Sequence, residues 1–296
     1  MRFRMNLVRL INLILEKKMK ATFSELVAAI RHDLAGRKAV IGISGGKDSS
    51  IAAALIALAI GKENVVGISM PNGEGKEDEP YVKSLEQWFG REFIRVNIKS
   101  TYETMLAQMK GIEILEDTRI NLAPRIRMVT LFAYAQSIPG SRVINTCNLS
   151  EDMLGYSTLF GDLAGSYAPL KYFTVNEIIS ILGETLIQSY GFPKELVYRV
   201  PTDGLCGSTD EEKMGLSYYE VDNFIRTGNT LGPQPQLSEL NYGCQNLDRR
   251  IDFLTKVRSK YEANKFKLQI VNIPGPSIDP VQGKNFLVYP RNGETE

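Results

Sequence analysis

The chain is poor in the residues that build disulfide scaffolds, zinc sites and histidine-based catalytic triads. Its 296 residues include three cysteines and one histidine. Cys147, Cys206 and Cys244 are far apart and odd in number. This spacing excludes a disulfide framework and a CxxC-type zinc site, and it is typical of a protein in the reducing cytoplasm. His32 stands among charged neighbours in a predicted surface helix, so we interpret it as a solvated residue.

The chain also lacks a strong net charge and a long apolar run. Lys and Arg number 35 against 34 Asp and Glu, a formal net charge of +1. This balance gives no support to a nucleic-acid binder that works through a basic surface. No apolar run approaches the roughly 18–20 residues that a membrane span requires. We therefore expect neither a nucleic acid nor a membrane as a partner.

The positive charge is concentrated in residues 1–20, which carry six basic residues and one acid. Arg9 interrupts the apolar run and no small-residue cleavage site follows, which disfavours a signal peptide. The spacing of apolar residues over Leu7–Leu15 leaves a membrane-surface helix open as an alternative. We favour a non-conforming extension over residues 1–18, ahead of a natural start near Met19.

Hydrophobic periodicity predicts alternating strands and helices between residues 38 and 145. The predicted strands are Lys38–Ile43, Val65–Met70, Phe93–Ile98 and Arg142–Asn145, and the predicted helices are 21–36, Ser49–Ile60, 78–89, 100–110 and 121–137. Strands that alternate with helices over short connections are typical of a doubly wound parallel sheet with helices on both faces. We therefore predict an α/β fold.

The second half of the chain has a different pattern. Residues 146–173 are rich in Gly, Ser, Asp and Thr and show no sustained period, and Pro201–Thr209 is predicted to be a loop. Helices are predicted at Thr174–Tyr190, around 211–227 and at about 246–263. These helices form a helical C-terminal extension of one domain, residues 19–267. An irregular, proline-rich tail is predicted for residues 268–296.

The strongest local signal is Gly-Ile-Ser-Gly-Gly-Lys-Asp-Ser at residues 42–49, between a predicted strand and a predicted helix. Adjacent glycines let the backbone approach an oxyanion, and Ser44, Ser49 and the helix N-terminus add hydrogen-bond donors. Walker A and dinucleotide motifs are excluded, since Asp48 and Ser44 stand where those motifs need Ser/Thr and Gly. Asp48 suits a phosphate site if it holds Mg²⁺. The alternative is that Asp48 only caps the helix.

This loop resembles that of the ATP pyrophosphatases, which split ATP between its α and β phosphates, and further motifs narrow the resemblance. These motifs are Met70–Pro71, Arg125–Met128, Asn145–Glu151, Gly155–Thr158, Gly161–Asp162, Pro169–Leu170, Pro201–Asp203, Thr209–Glu211 and Gly215–Tyr218. They occur in the order typical of NAD synthetases, and the resemblance covers roughly residues 20–227. It implies a ligase that amidates deamido-NAD to NAD with ATP and Mg²⁺.

The resemblance also implies roles for individual residues. ATP would be bound by Gly42, Ile43, Ser44, Gly45, Gly46, Lys47, Asp48, Ser49, Met70, Thr146 and Thr202, and deamido-NAD by Arg125, Asp162 and Lys171. Asp48 and Glu151 would hold the metal, and Asp162 would join them as a catalytic carboxylate. Two positions that hold lysine in many family members are Leu159 and Val175 here, and the family's C-terminal His-Lys pair is absent.

The implied reaction has two steps. The nicotinate carboxylate attacks the α-phosphorus of ATP and expels pyrophosphate, and ammonia then displaces AMP from the adenylated carbonyl. We expect ammonia to be used directly, because little chain remains for a glutaminase domain once residues 38–227 are assigned to synthesis. The resemblance further implies a homodimer.

Two other functions remain as alternatives. The first is a tRNA-modifying ATP pyrophosphatase, which the charge and the lack of paired catalytic cysteines disfavour. The second is a catalytically degenerate nucleotide-binding regulator, which the presence of both Asp48 and Glu151 disfavours.

Overall fold

The computed structural model describes residues 7–199, 211–212, 215–227, 247–276 and 278. Within these residues four parallel strands form one sheet in the order β3-β2-β1-β4. The strands are β1 (Lys38–Gly42), β2 (Val65–Ser69), β3 (Ile94–Arg95) and β4 (Ser141–Ile144). The predicted α/β fold with a parallel sheet is therefore confirmed. The predicted loop Pro201–Thr209 and most of the predicted tail lie outside the described residues.

Helices connect the strands and make up most of the second half. They are α1 (Leu7–Asp33), α2 (Lys47–Ile60), α3 (Glu79–Phe89), α4 (Lys99–Gln108), α5 (Glu116–Ser137), α6 (Leu149–Leu154), α7 (Val175–Glu177), α8 (Glu184–Tyr190), α9 (Lys194–Val197), α10 (Tyr218–Thr227) and α11 (Leu247–Ile270). A π-helical segment, Ile178–Gly183, joins α7 to α8. In the part of the chain that the structure describes, no helix is both long enough and apolar enough to cross a membrane.

Both faces of the sheet are covered because strand side chains alternate between them. Ala39 and Ile41 of β1 pack into a core with α1, α2 and α3, whereas Val40 packs on the opposite face with α5. All three side chains are 0% exposed. A strand buried on both faces needs a continuous apolar run, which is the pattern that predicted β1.

The C-terminal helices form a second apolar core beside the sheet. Met153 of α6, Val221 and Phe224 of α10 and Val257 of α11 are its buried centre. Val175 also lies in this core and is 3% exposed. Many family members have lysine at this position. A lysine here would bury its ammonium group among apolar side chains, so it does not suit this packing.

Two elements have different limits from those predicted. The strand predicted at Phe93–Ile98 forms ladder pairs with β2 only at Ile94–Arg95. Beyond them the Val96 and Ile98 amides still donate to the carbonyls of Ser69 and Pro71 at 2.9 Å. Helix α1 begins at Leu7 rather than at residue 21. It therefore runs through the predicted boundary at residue 18 without a break, and the domain limits stay a prediction.

Two further elements of the second half were not given by the sequence pattern. Within residues 146–173, which show no sustained period, α6 starts at Leu149 behind a capping box formed by Asn148 and Glu151. Helix α11 continues to Ile270 instead of ending near residue 263. Its last turns are held by packing, because Leu268 is 5% exposed.

The strand order places a switch point between β1 and β4. From β1 the chain runs outward through β2 to β3, and it returns on the other side of β1 as β4. Open α/β sheets bind ligands in the crevice beyond the carboxyl ends of the strands at such a point. The loop 42–49 follows β1 into this crevice, and the segment Asn145–Glu151 follows β4 into the same crevice.

Candidate active site

The glycine-rich segment 42–49, called the phosphate loop below, is held by its own hydroxyl groups. The Gly46 amide donates to Ser44 Oγ at 3.2 Å, and the two hydroxyl oxygens of Ser44 and Ser49 lie 3.0 Å apart. Gly45 has φ +76°, and a Cβ there would lie 3.0 Å from Cβ of Tyr81. Only glycine combines this backbone conformation with so close an approach.

Asp48 does not cap α2. Gly46 is the N-cap residue and makes no side-chain cap bond, and Asp48 lies in the first turn. One carboxylate oxygen of Asp48 is 2.8 Å from the Lys47 ammonium, and the other accepts from the Asn148 side-chain amide at 3.3 Å. The carboxylate therefore points to the segment that follows β4, which contradicts the capping alternative.

Glu151 is brought to Asp48 by the capping box of α6. Asn148 Oδ1 accepts from the backbone amide of Glu151 at 3.0 Å, and Glu151 Oε2 accepts from the backbone amide of Asn148 at 3.2 Å. Burial raises the pKa of Glu151 well above its ordinary value, and the negative charge of Asp48 raises it further, whereas Lys47 lowers it. The structure thus brings together the two carboxylates that the sequence predicted as metal ligands.

Asp162 lies in a tight turn on the same side of the sheet. Its Oδ1 accepts from the Thr158 amide at 2.9 Å, and its carbonyl accepts from the Asn145 side chain at 2.7 Å. The residue is exposed, yet the protein around it raises the pKa of the carboxyl group. The Lys267 charge lowers the same pKa, so Lys267 lies within electrostatic reach.

Arg125 and Lys171, the two predicted substrate-binding cations, have different surroundings. Arg125 is exposed on α5 and its Nε donates to the Leu159 carbonyl at 3.3 Å, beside the Asp162 turn. Lys171 is 8% exposed, and its ammonium donates to Asn272 Oδ1 at 2.6 Å and to the Ile273 carbonyl at 2.8 Å. These bonds tie Lys171 to the chain after α11.

The other predicted ATP-binding residues lie along the sheet edge. Gly42 ends β1 and Ile43 continues its pairing, with its amide donating to the Ile68 carbonyl at 2.8 Å. Met70 follows β2 and is 7% exposed. Thr146 follows β4 and is half-buried. Thr202 lies outside the described residues.

Three residues were missing from the predicted site. Asn148 holds both Asp48 and Glu151, and the Asn-x-x-Glu spacing of a capping box could have identified it. Arg127 donates to the Met70 carbonyl at 3.0 Å. Lys267 donates to the carbonyls of residues 155 and 157 at 2.9 Å. No local pattern predicts this last contact, because it joins segments about 110 residues apart.

Two acidic oxygen donors beside a phosphate loop match the way proteins bind Mg²⁺. This ion is usually held by one or two carboxylates, while substrate phosphates and water complete its octahedron. Among the described residues there is no group of three or more His, Cys, Asp or Glu side chains that could hold a metal unaided. Cys147 is buried, and burial raises the pKa of its thiol well above the ordinary value, so thiolate ligation is disfavoured.

The fold and the site define an α/β protein in which a glycine-rich loop and two acidic side chains meet at the switch point of a parallel sheet. The family model described as NAD synthase matches residues 20–271. The NH(3)-dependent NAD(+) synthetase of Thermococcus kodakarensis is 37% identical over 187 residues, 63% of this chain and 70% of that protein. The protein of the same name from Mycoplasmopsis pulmonis is 32% identical over 242 residues, 81% of this chain and 83% of that protein.

Two solved structures are similar along most of the chain. The NMN synthetase from Francisella tularensis superposes with a TM-score of 0.68 at 26% identity, covering 84% of this chain and 95% of that chain. The NH3-dependent NAD synthetase from Campylobacter jejuni has a TM-score of 0.58 at 25% identity, covering 84% and 96%. The chain belongs to the NAD synthase family. It is a ligase that forms a carbon–nitrogen bond, and the predicted ATP-dependent amidation of deamido-NAD to NAD is confirmed.

Proposed function

We propose that this chain synthesises NAD from deamido-NAD with ammonia as the direct nitrogen donor, through an adenylated intermediate. The observation that carries the proposal is the approach of Asp48 and Glu151 beside the phosphate loop. The names of the curated relatives, which are NH(3)-dependent synthetases, support ammonia as the donor. A carboxylate is a poor electrophile, so its conversion to an acyl adenylate supplies the leaving group that ammonia displaces.

Residues 42–49 would bind the triphosphate through backbone amides and the Ser44 and Ser49 hydroxyls, with Met70 and Thr146 beside them. Asp48 and Glu151 would hold Mg²⁺, and Asn148 orients both carboxylates. When bound, Mg²⁺ would neutralise charge on the triphosphate and on the leaving pyrophosphate. Positioning and charge neutralisation carry most of the rate in such phosphoryl-type chemistry, so no covalent nucleophile is required.

The dinucleotide would lie toward Arg125 and the Asp162 turn. The planar guanidinium of Arg125 suits a carboxylate or phosphate group. Asp162, whose pKa is raised by burial, would accept a proton from the attacking ammonia. Lys171 remains a predicted substrate-binding residue. Its ammonium would first have to break its hydrogen bonds to Asn272 and Ile273. We also propose a homodimer located in the cytoplasm.

An assay tests this function by combining the purified full chain with ATP, Mg²⁺ and deamido-NAD, and with either ammonium or glutamine as nitrogen source. We expect NAD, AMP and pyrophosphate in equal amounts with ammonium. Asp48→Ala and Glu151→Gln should each lower the rate by at least about a hundredfold. Asp252→Ala is the matched control, because its side chain is 60% exposed on α11. Efficient turnover with glutamine alone would contradict the nitrogen source, and full activity of Asp48→Ala would contradict the site.

A mononucleotide substrate is a second candidate. The TM-score of 0.68 with a protein described as NMN synthetase favours the mononucleotide substrate. NMN, the product in that description, is NAD without its adenylate half. The same assay with nicotinic acid mononucleotide in place of deamido-NAD distinguishes the two substrates. We expect kcat/KM to be at least about tenfold higher for deamido-NAD. The reverse ratio would make the mononucleotide the substrate.

A further inference from the structure

Lys47 of the phosphate loop is more deeply buried than a lysine usually is. It is the first residue of α2, its side chain is 3% exposed, and its ammonium lies 2.8 Å from Asp48 Oδ2. The ring centre of Tyr218, from α10, is 5.8 Å from the same ammonium. Lysine is almost never fully buried unless its charge is paired. The partner here is the carboxylate proposed to hold the metal.

Both oxygens of Asp48 already have partners in the protein. Lys47 binds Oδ2 through a short, charged contact, while Asn148 donates to Oδ1 through a longer and neutral one at 3.3 Å. Lys47 also acts on Glu151, where its charge opposes the effects of burial and of Asp48. One ammonium therefore offsets the repulsion between two neighbouring carboxylates, which is the electrostatic task that a divalent cation performs in a loaded site.

We propose that Lys47 is an internal counter-ion, whose ammonium competes with the divalent cation for Asp48 and turns to the ATP phosphates when the metal nucleotide binds. This inference rests on the proposed metal site. The four-carbon stem of lysine allows such a movement, and an ammonium is a usual phosphate partner. Lys47 would then weaken metal binding to the free enzyme and strengthen the binding of ATP.

A purely structural ion pair makes a different prediction. If Lys47 only stabilised the loop, its loss would weaken metal and ATP binding together. The counter-ion hypothesis requires the two affinities to change in opposite directions, because the ammonium repels the metal and attracts the triphosphate. A unit charge about 5 Å from a divalent cation changes its affinity by about ten- to twentyfold even at the dielectric constant of water.

The test measures Mn²⁺ binding to the full chain by electron paramagnetic resonance, without nucleotide. Lys47→Met removes the charge and keeps most of the side-chain volume, whereas Lys47→Arg keeps the charge. We expect Mn²⁺ to bind Lys47→Met about tenfold more tightly than the wild type, while calorimetry shows weaker binding of ATP. Lys47→Arg should resemble the wild type. Lys99→Met is the control, since that lysine is 58% exposed on α4.

Unchanged or weaker Mn²⁺ binding in Lys47→Met would overturn the inference. Thermal denaturation verifies that each variant is folded, and Lys47→Gln replaces Lys47→Met if the latter does not fold. Asp48→Asn separates this hypothesis from the proposed function. If Asp48→Asn binds Mn²⁺ as the wild type does, the metal site itself is misplaced. If Asp48→Asn loses Mn²⁺ binding but Lys47→Met leaves it unchanged, only the role of Lys47 is wrong.

Discussion

Asp222 provides a pH-dependent test of the contact between α6 and α10. It is 4% exposed, and its carboxylate accepts from the Ser150 hydroxyl and from the backbone and side-chain amides of Asn176. Ser150 precedes Glu151 in α6, so this network supports the helix that carries the proposed metal ligand. We choose the substitution Asp222→Asn, which keeps the shape of the side chain and removes its titration.

The expected effect follows from the pKa of Asp222. Burial raises this pKa from 3.8 to about 6, despite hydrogen bonds that lower it. Between these two values the folded state binds more protons than the unfolded state, so stability falls as pH rises. The contribution of the protonated group is complete below pH 3.8 and is lost above about pH 6. A shift of about two units corresponds to about 3 kcal/mol.

Urea denaturation of the wild type and of Asp222→Asn at a series of pH values from 4 to 7 measures this effect. We expect the free energy of unfolding of the wild type, minus that of Asp222→Asn, to fall by about 2.5 kcal/mol across the series. Most of the fall should occur between about pH 4 and pH 6. Taking the difference between two proteins removes the contributions of titrating groups that do not interact with Asp222.

Asp252→Asn serves as the control for this experiment. Its side chain is 60% exposed, so its difference from the wild type should change by less than about 1 kcal/mol over the same pH range. A difference between the wild type and Asp222→Asn that is independent of pH would refute the reasoning. It would mean that the hydrogen bonds from Ser150 and Asn176 stabilise the carboxylate enough to cancel the cost of its burial.

Three further predictions concern stability. Urea denaturation should show that Gly45→Ala lowers the free energy of unfolding by at least about 1 kcal/mol more than Gly36→Ala does. Both glycines have positive φ, but only at Gly45 would a Cβ meet close neighbours. Equal losses would exclude crowding as the cause. Arg226→Ala should cost about 3 kcal/mol, because it removes the ion-pair partner of Glu177 on α7, whose side chain is only 15% exposed. Lys256→Ala on the surface should cost less than about 1 kcal/mol, and similar thermal shifts for the two variants would contradict this. Burial favours a higher pKa for Glu86, but its hydrogen bonds to Arg95 and a backbone amide lower the pKa overall. The stability that these contacts contribute is present above about pH 4.5 and is lost as pH falls. Glu86→Gln should therefore be less stable than the wild type at pH 7, and the difference should shrink near pH 3. A stability difference that grows on acidification would refute this.

Local patterns in the sequence were sufficient for the fold class and for the position of the glycine-rich loop in the fold. The apolar run of β1 indicates a strand buried on both faces, and the glycines and hydroxyl residues of 42–49 indicate a loop that approaches phosphate. These features depend on near neighbours in the chain and on strand and helix periods. The strand order of the sheet then explains why the loop after β1 and the segment after β4 share one crevice.

The tertiary structure decided the partners of the charged groups. The amide of Asn148 reaches Asp48 across 100 residues of sequence, and Lys267 reaches the segment before Asp162 across about 110 residues. It also decided that Lys171 binds the chain after α11, and that Lys47 is buried against the Asp48 carboxylate. The sequence determines which ionisable groups are available, because residue type and local pattern are written in it. Which of them meet, and how far burial shifts their pKa values, depends on packing between distant segments.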